Sequence, residues 1–141
     1  MKNISKKLGI ILFLLIFTGC SDKSGDEISV VSESTEFVCS LWEPECMIQR
    51  EEVDKNPVVL SGNNNIVTIT VPQDVCTRLE VDSIEKDDGI VVINLFADGM
   101  TCDGGSDLTK IELELSEAVS LDRLEVYKEA YDEVRQVFPV I

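Results

Sequence analysis

Cys76-Thr77-Arg78-Leu79-Glu80-Val81-Asp82-Ser83-Ile84-Glu85-Lys86-Asp87-Asp88-Gly89-Ile90-Val91-Val92-Ile93-Asn94-Leu95-Phe96-Ala97 is the stretch that decides the fold. Leu79 and Val81 alternate with the charged Arg78, Glu80 and Asp82, the period of a strand with one wet face, and Ile90 to Ala97 is apolar enough to be covered more fully. Glu85 to Gly89 supplies the reversal, because Asp88-Gly89 accepts the positive φ that a tight hairpin turn requires. A turn centred near Asp88 brings Cys76 nearly opposite Cys102 at the open end of the hairpin, so a disulfide between them is expected.

On the N-terminal side, Ile66 to Val71 is almost wholly β-branched and closed by Pro72. Val58 to Leu60 precedes it across Ser61-Gly62-Asn63-Asn64-Asn65, which predicts antiparallel neighbours and leaves Asn63, Asn64 and Asn65 as a possible recognition loop. Glu36 to Trp42 reads as a strand with Phe37, Cys39 and Leu41 on one face. After it, Pro44 fits the first turn of a short helix with Glu43 and Glu45 near its positive end; a covered loop is the alternative. Trp42 is a binding anchor if exposed and a plug if buried, and burial is the expectation for so large an apolar ring.

On the C-terminal side, Ile111, Leu113 and Leu115 alternate with Lys110, Glu112 and Glu114 as a half-buried strand. Leu121, Leu124, Tyr127, Tyr131, Val134 and Phe138 then recur at helical spacing after the plausible cap Ser120, which predicts a helix over 120–138. A closing pair of strands competes, since Leu124-Glu125-Val126 alternates and Asp132-Glu133 suits a turn. The fold class expected is mainly β: a small antiparallel β-sandwich-like domain over residues 28–141, with one C-terminal helix.

Asp98 to Asp107 forms a glycine-rich loop with Asp98, Asp103 and Asp107 as carboxylates. Calcium takes oxygen ligands on such turns, but the spacing departs from the EF-hand pattern, where Met100 and Cys102 would fall on ligand positions. A plain loop is preferred, and no other cofactor is expected.

The N-terminus sets the compartment. Lys2, Lys6 and Lys7 precede an apolar run from Leu8 to Phe17, too short to span a bilayer comfortably and laid out as an export signal. The ending Ile16-Phe17-Thr18-Gly19-Cys20 resembles the lipobox of bacterial lipoproteins, with Phe17 where Leu is more usual. That resemblance implies cleavage before Cys20, lipidation of its thiol, and a bacterial cell-envelope protein held on a membrane through lipid. Residues 1–19 are then a signal peptide and 20–27 the lipidated cysteine with a flexible tether.

The signal segment takes three of the twelve basic residues and none of the 27 acidic ones, leaving nine against 27 in the rest, a formal charge of −18. Nucleic acid is excluded as a partner by that balance, and a basic envelope protein or a glycan is the partner class expected. With Cys20 modified, four cysteines remain, which permits three pairings in an oxidising compartment; taking Cys76–Cys102 first leaves Cys39–Cys46. The chain has no histidine, which removes Ser-His and Cys-His nucleophiles and His-containing zinc sites together. No nucleophile or base constellation emerges, so a non-enzymatic binding, scaffold or structural module is expected. Two alternatives are an acidic inhibitor of a cationic exported cell-wall enzyme and a carboxylate-dependent glycan hydrolase, the latter needing two acids across a cleft.

Overall fold

A computed structural model describes residues 27–140 with the exception of 101 and 103. The export-signal and Cys20 lipidation readings, and the Asp103 ligand candidate, lie outside the described residues.

The elements run β1 (Val30–Ser40), α1 (Pro44–Lys55), β2 (Val58–Ser61), β3 (Ile66–Asp74), β4 (Thr77–Asp87), β5 (Ile90–Gly99), β6 (Ser106–Leu115), a 3-10 turn (Leu121–Arg123), β7 (Leu124–Ala130) and β8 (Glu133–Phe138). They build two four-stranded sheets, ordered β1-β6-β3-β2 and β4-β5-β7-β8. The first sheet is antiparallel throughout, and the second is antiparallel except where β5 and β7 pair in parallel. Between the sheets Val67, Ile69, Ile111 and Leu113 of the first meet Ile93, Leu95, Leu124 and Val126 of the second, all essentially removed from water. Alternation puts these side chains inward, and their burial is the main force holding the layers together.

The predicted central hairpin is present as β4–β5, with Asp87 opposite Ile90 and Asp88 and Gly89 both at positive φ. Its register carries Thr77 opposite Gly99, and the Cys76–Cys102 bridge follows it with Cα atoms 5.9 Å apart. The β2–β3 hairpin also forms as expected. β6 begins at Ser106, earlier than its apolar pattern suggests, because backbone pairing to β1 and β3 on its two sides holds the polar start in the ladder.

β1 also starts earlier than the predicted strand. Its polar half, Ser32 to Glu36, pairs with β6 at the edge of the sheet, where neither face must be apolar. A register shift between Phe37 and Cys39 breaks the expected common face, and Phe37 is left 60% exposed.

The C-terminal helix expected over 120–138 is replaced by β7 and β8. Leu124 and Val126, two residues apart, are buried 2% and 0% exposed against β5, whose second edge would otherwise lack a partner. Tyr131 and Asp132 adopt positive φ and reverse the chain. The helical spacing of Tyr127, Tyr131 and Val134 is overridden by this tertiary pairing, and Tyr131 and Val134 stay exposed.

α1 carries the chain from one edge of the first sheet to the other. Pro44 opens it, Glu45 lies in its first turn and Lys55 in its last, each suiting the helix dipole. Only Cys46 is buried, so the helix is tethered to the sandwich by the Cys39–Cys46 bridge more than by an apolar face. Among the described residues no helix is long and apolar enough to cross a membrane.

Candidate functional site

The two ends of the sandwich differ chemically. At one, Val30 lies opposite Leu115, Ser29 exchanges hydrogen bonds with Ser116, and the described chain enters. The Asn63–Asn65 turn belongs to this end: the carbonyls of Asn64 and Asn65 accept from the N–H groups of Val119 and Leu115, at 2.8 and 2.7 Å. Its backbone is therefore tied down, with Asn63 and Asn64 exposed.

The other end lies the length of β1 away, eleven residues, or about 35 Å at the usual rise of a strand. It gathers both disulfides, Trp42, Gly99 and Gly105. Trp42 is 73% exposed, contrary to the burial expected of it. The reason lies in the path of the chain: β1 ends at Ser40 and a turn donates the Glu43 N–H back to the Ser40 carbonyl, which swings Trp42 outside the space between the sheets. That space is already filled by aliphatic side chains. The indole instead lies over Gly105, where an added Cβ would sit 2.6 Å from the ring and where φ is +82°. Only glycine fits that approach.

Beneath this surface Asp74 acts as an organiser. Its Oδ1 accepts from the Cys76 N–H at 3.0 Å and its Oδ2 from the Tyr131 hydroxyl at 3.2 Å, tying β3, the bridge and the β7–β8 turn together. Asp74, Cys76 and Cys102 have ligand atoms within 4.8 Å of one another, a cluster able to coordinate a metal ion. Joined to each other, the sulfurs carry no thiolate charge, and Asp74 is the one anionic donor until the bridge is reduced. Asp98 and Asp107, proposed from sequence as calcium ligands, fall on different strands, opposite Arg78 and Gln73 respectively, and neither joins that cluster.

Gln73 is the buried polar residue of the described core at 4% exposure; its amide donates to the Thr77 hydroxyl, and its Oε1 has no partner. Asp74 and Tyr131 carry no joint signal in the sequence, since the hydrogen bond that unites them spans 57 residues, and Gln73 is marked only by its burial in the fold. The structure brings Trp42, Asp98, Asp107 and both bridges to one end and leaves Asn63–Asn65 at the other.

Electrostatics is otherwise that of a solvated acidic surface. Lys110 on β6 reaches Glu36 on β1 at 2.8 Å, and that hydrogen bond with its charge attraction raises the lysine pKa. The Tyr127 hydroxyl donates to Glu125 at 2.8 Å, which raises the phenol's pKa, with burial and the carboxylate charge adding to it. No protein-family model, curated protein or solved structure matches this chain.

Proposed function

We propose that the protein is exported, anchored to a bacterial envelope membrane through a lipidated Cys20, and acts as a non-enzymatic binding module whose recognition end carries Trp42. One observation carries this reading: Trp42 is largely exposed at the end opposite to that where the chain enters the sandwich. A tether before residue 28 would then hold the Asn63–Asn65 end toward the membrane and present the indole outward. An exposed aromatic lying over Gly105 on a disulfide-stapled end offers a large amphipathic contact area, as recognition surfaces do. The acidic domain would steer a basic partner to it.

The test has two parts. Metabolic labelling with palmitate should mark the wild-type chain and not Cys20→Ala; an unlabelled wild type removes the anchor. Capture from native envelope extract should retain a stoichiometric partner on the wild type and lose it with Trp42→Ala. Equal retention by both removes Trp42 as the recognition residue. A basic partner lost at high salt directs the next assay to inhibition of a cationic envelope enzyme, the second reading compatible with the charge.

A further inference from the structure

One cleft runs against the charge of the rest of the molecule. It has a volume of about 630 Å³ and lies between α1, the end of β3 and the β7–β8 hairpin, on the side of the sandwich away from β1 and β4. In a chain of 27 acidic and twelve basic residues, three cations, Arg50, Lys128 and Arg135, line it with one carboxylate, Asp54.

Lys128 is the informative residue. β7 turns Leu124 and Val126 into the core, and the next position on that face is Lys128, where an apolar side chain would continue the packing. Its Nζ donates to the Pro72 carbonyl at 2.7 Å across the opening between the sheets. Burial, and then the charge of Arg135, hold its pKa below the ordinary lysine value. Arg135 stands directly opposite it on β8, an arrangement of like charges that disfavours strand pairing.

The available acids compensate these cations poorly. Arg135 meets Glu133 at 3.1 Å with both side chains mostly exposed, and Arg50 lies a loose 3.8 Å from Asp54. Lys128 takes part in none of the ion pairs among the described residues. A half-buried cation without a counter-charge costs stability, and an incoming anion would remove that cost.

We propose that this cleft binds a small organic anion, a carboxylate or phosphate group on an apolar body, with Lys128 and Arg135 holding the charged group and Arg50 facing it from α1. Guanidinium groups match either oxyanion in two-point fashion, and the ammonium supplies a compact third donor. Val53, Val71 and Val137 form the wall for the apolar part. The volume suits a small molecule. The site requires neither the lipid anchor nor Trp42, so it stands or falls apart from the function proposed above.

The test is a titration of the full-length chain in non-ionic detergent with benzoate and with phenyl phosphate, benzyl alcohol serving as the uncharged control, read by amide shifts of Thr70, Arg135 and Gln136 and by the Lys128 ammonium resonance. At least one anion should give saturable shifts and raise the Lys128 pKa, while benzyl alcohol does neither. Which anion succeeds identifies the headgroup. Lys128→Met and, at an exposed position where folding is not at stake, Arg135→Gln should each weaken binding by about tenfold or more, the worth of one charge-assisted hydrogen bond. Absence of saturable shifts with both anions, equal response to benzyl alcohol, or wild-type affinity in both variants would overturn the proposal.

Discussion

Cutting the two disulfides separately should give two different kinds of loss. Chain-entropy reasoning scales stabilisation with the closed loop: a separation of 26 residues for Cys76–Cys102 corresponds to about 3.5 kcal/mol, and one of 7 for Cys39–Cys46 to about 2.4 kcal/mol. The structure sharpens the contrast. Cys76–Cys102 closes the hairpin at the centre of the fold, so Cys76→Ala with Cys102→Ala should lower global stability by nearly its full amount, a large share of the roughly 5 to 15 kcal/mol typical of a domain. Cys39–Cys46 instead fastens α1, which buries only Cys46. Cys39→Ala with Cys46→Ala should therefore free the helix locally and cost the sheets less. Urea unfolding followed by far-UV circular dichroism and by Trp42, the single tryptophan, separates the cases. In the Cys39/Cys46 variant the fluorescence and helical signals should change before the sheet signal, whereas the Cys76/Cys102 variant should show one coincident, down-shifted transition. Coincident transitions with the larger loss in the Cys39/Cys46 variant would refute the reasoning and make α1 part of the cooperative core.

Three further outcomes are expected. Gly105→Ala should lose at least about 1 kcal/mol, because it places a Cβ at positive φ and against the indole, and Trp42 fluorescence should shift as the ring is displaced. Lys128 has a folded-state pKa below its unfolded value of 10.5, so the unfolded chain binds more protons at this group in the window just under 10.5 and its own contribution to stability rises with pH there. Tyr127 contributes oppositely, since its raised pKa removes stability as pH climbs above 10. The difference in urea midpoint between the wild type and Lys128→Met, in which Tyr127 cancels, should therefore rise with pH across that range. Lys110 shifts the opposite way, and its contribution is lost only as pH climbs above 10.5. In a chain with Cys20, Cys39 and Cys46 replaced by Ala, cadmium should produce thiolate charge-transfer absorption only after Cys76–Cys102 is reduced, when Asp74, Cys76 and Cys102 become a ligand set; absorption with the oxidised protein would contradict that bridge.

The central hairpin was legible because three local signals agreed: the alternation of Leu79 and Val81, the apolar run from Ile90, and an Asp-Gly turn between them. Cys76–Cys102 followed from its register. The last segment departs from its helical spacing because Leu124, Tyr127 and Tyr131 fit a helix only locally, while the deciding partner, the open edge of β5, lies more than twenty residues earlier in the chain. Trp42 escapes burial for a related reason: a large ring tends to be buried on composition alone, but only the topology shows that β1 is an edge and that the chain leaves the sandwich just before the indole. The cation cleft was invisible, since Arg50, Lys128 and Arg135 meet only through tertiary packing. Its one trace in the sequence is Lys128 following Leu124 and Val126 at strand spacing, readable only once the segment is known to be a strand.

The parallel pairing of β5 with β7 also constrains the order in which the chain can mature. β6 must cross to the other sheet before β7 returns to lie beside β5, so a nascent chain that stops short of Leu124 holds β5 with one row of backbone groups unpaired. That edge borders Val91, Ile93 and Leu95, a β-rich apolar run of the kind that pairs with other chains when left open. Closure of the sandwich thus waits for the last strands to emerge, and truncations near the C-terminus should aggregate where truncations before residue 28 stay soluble.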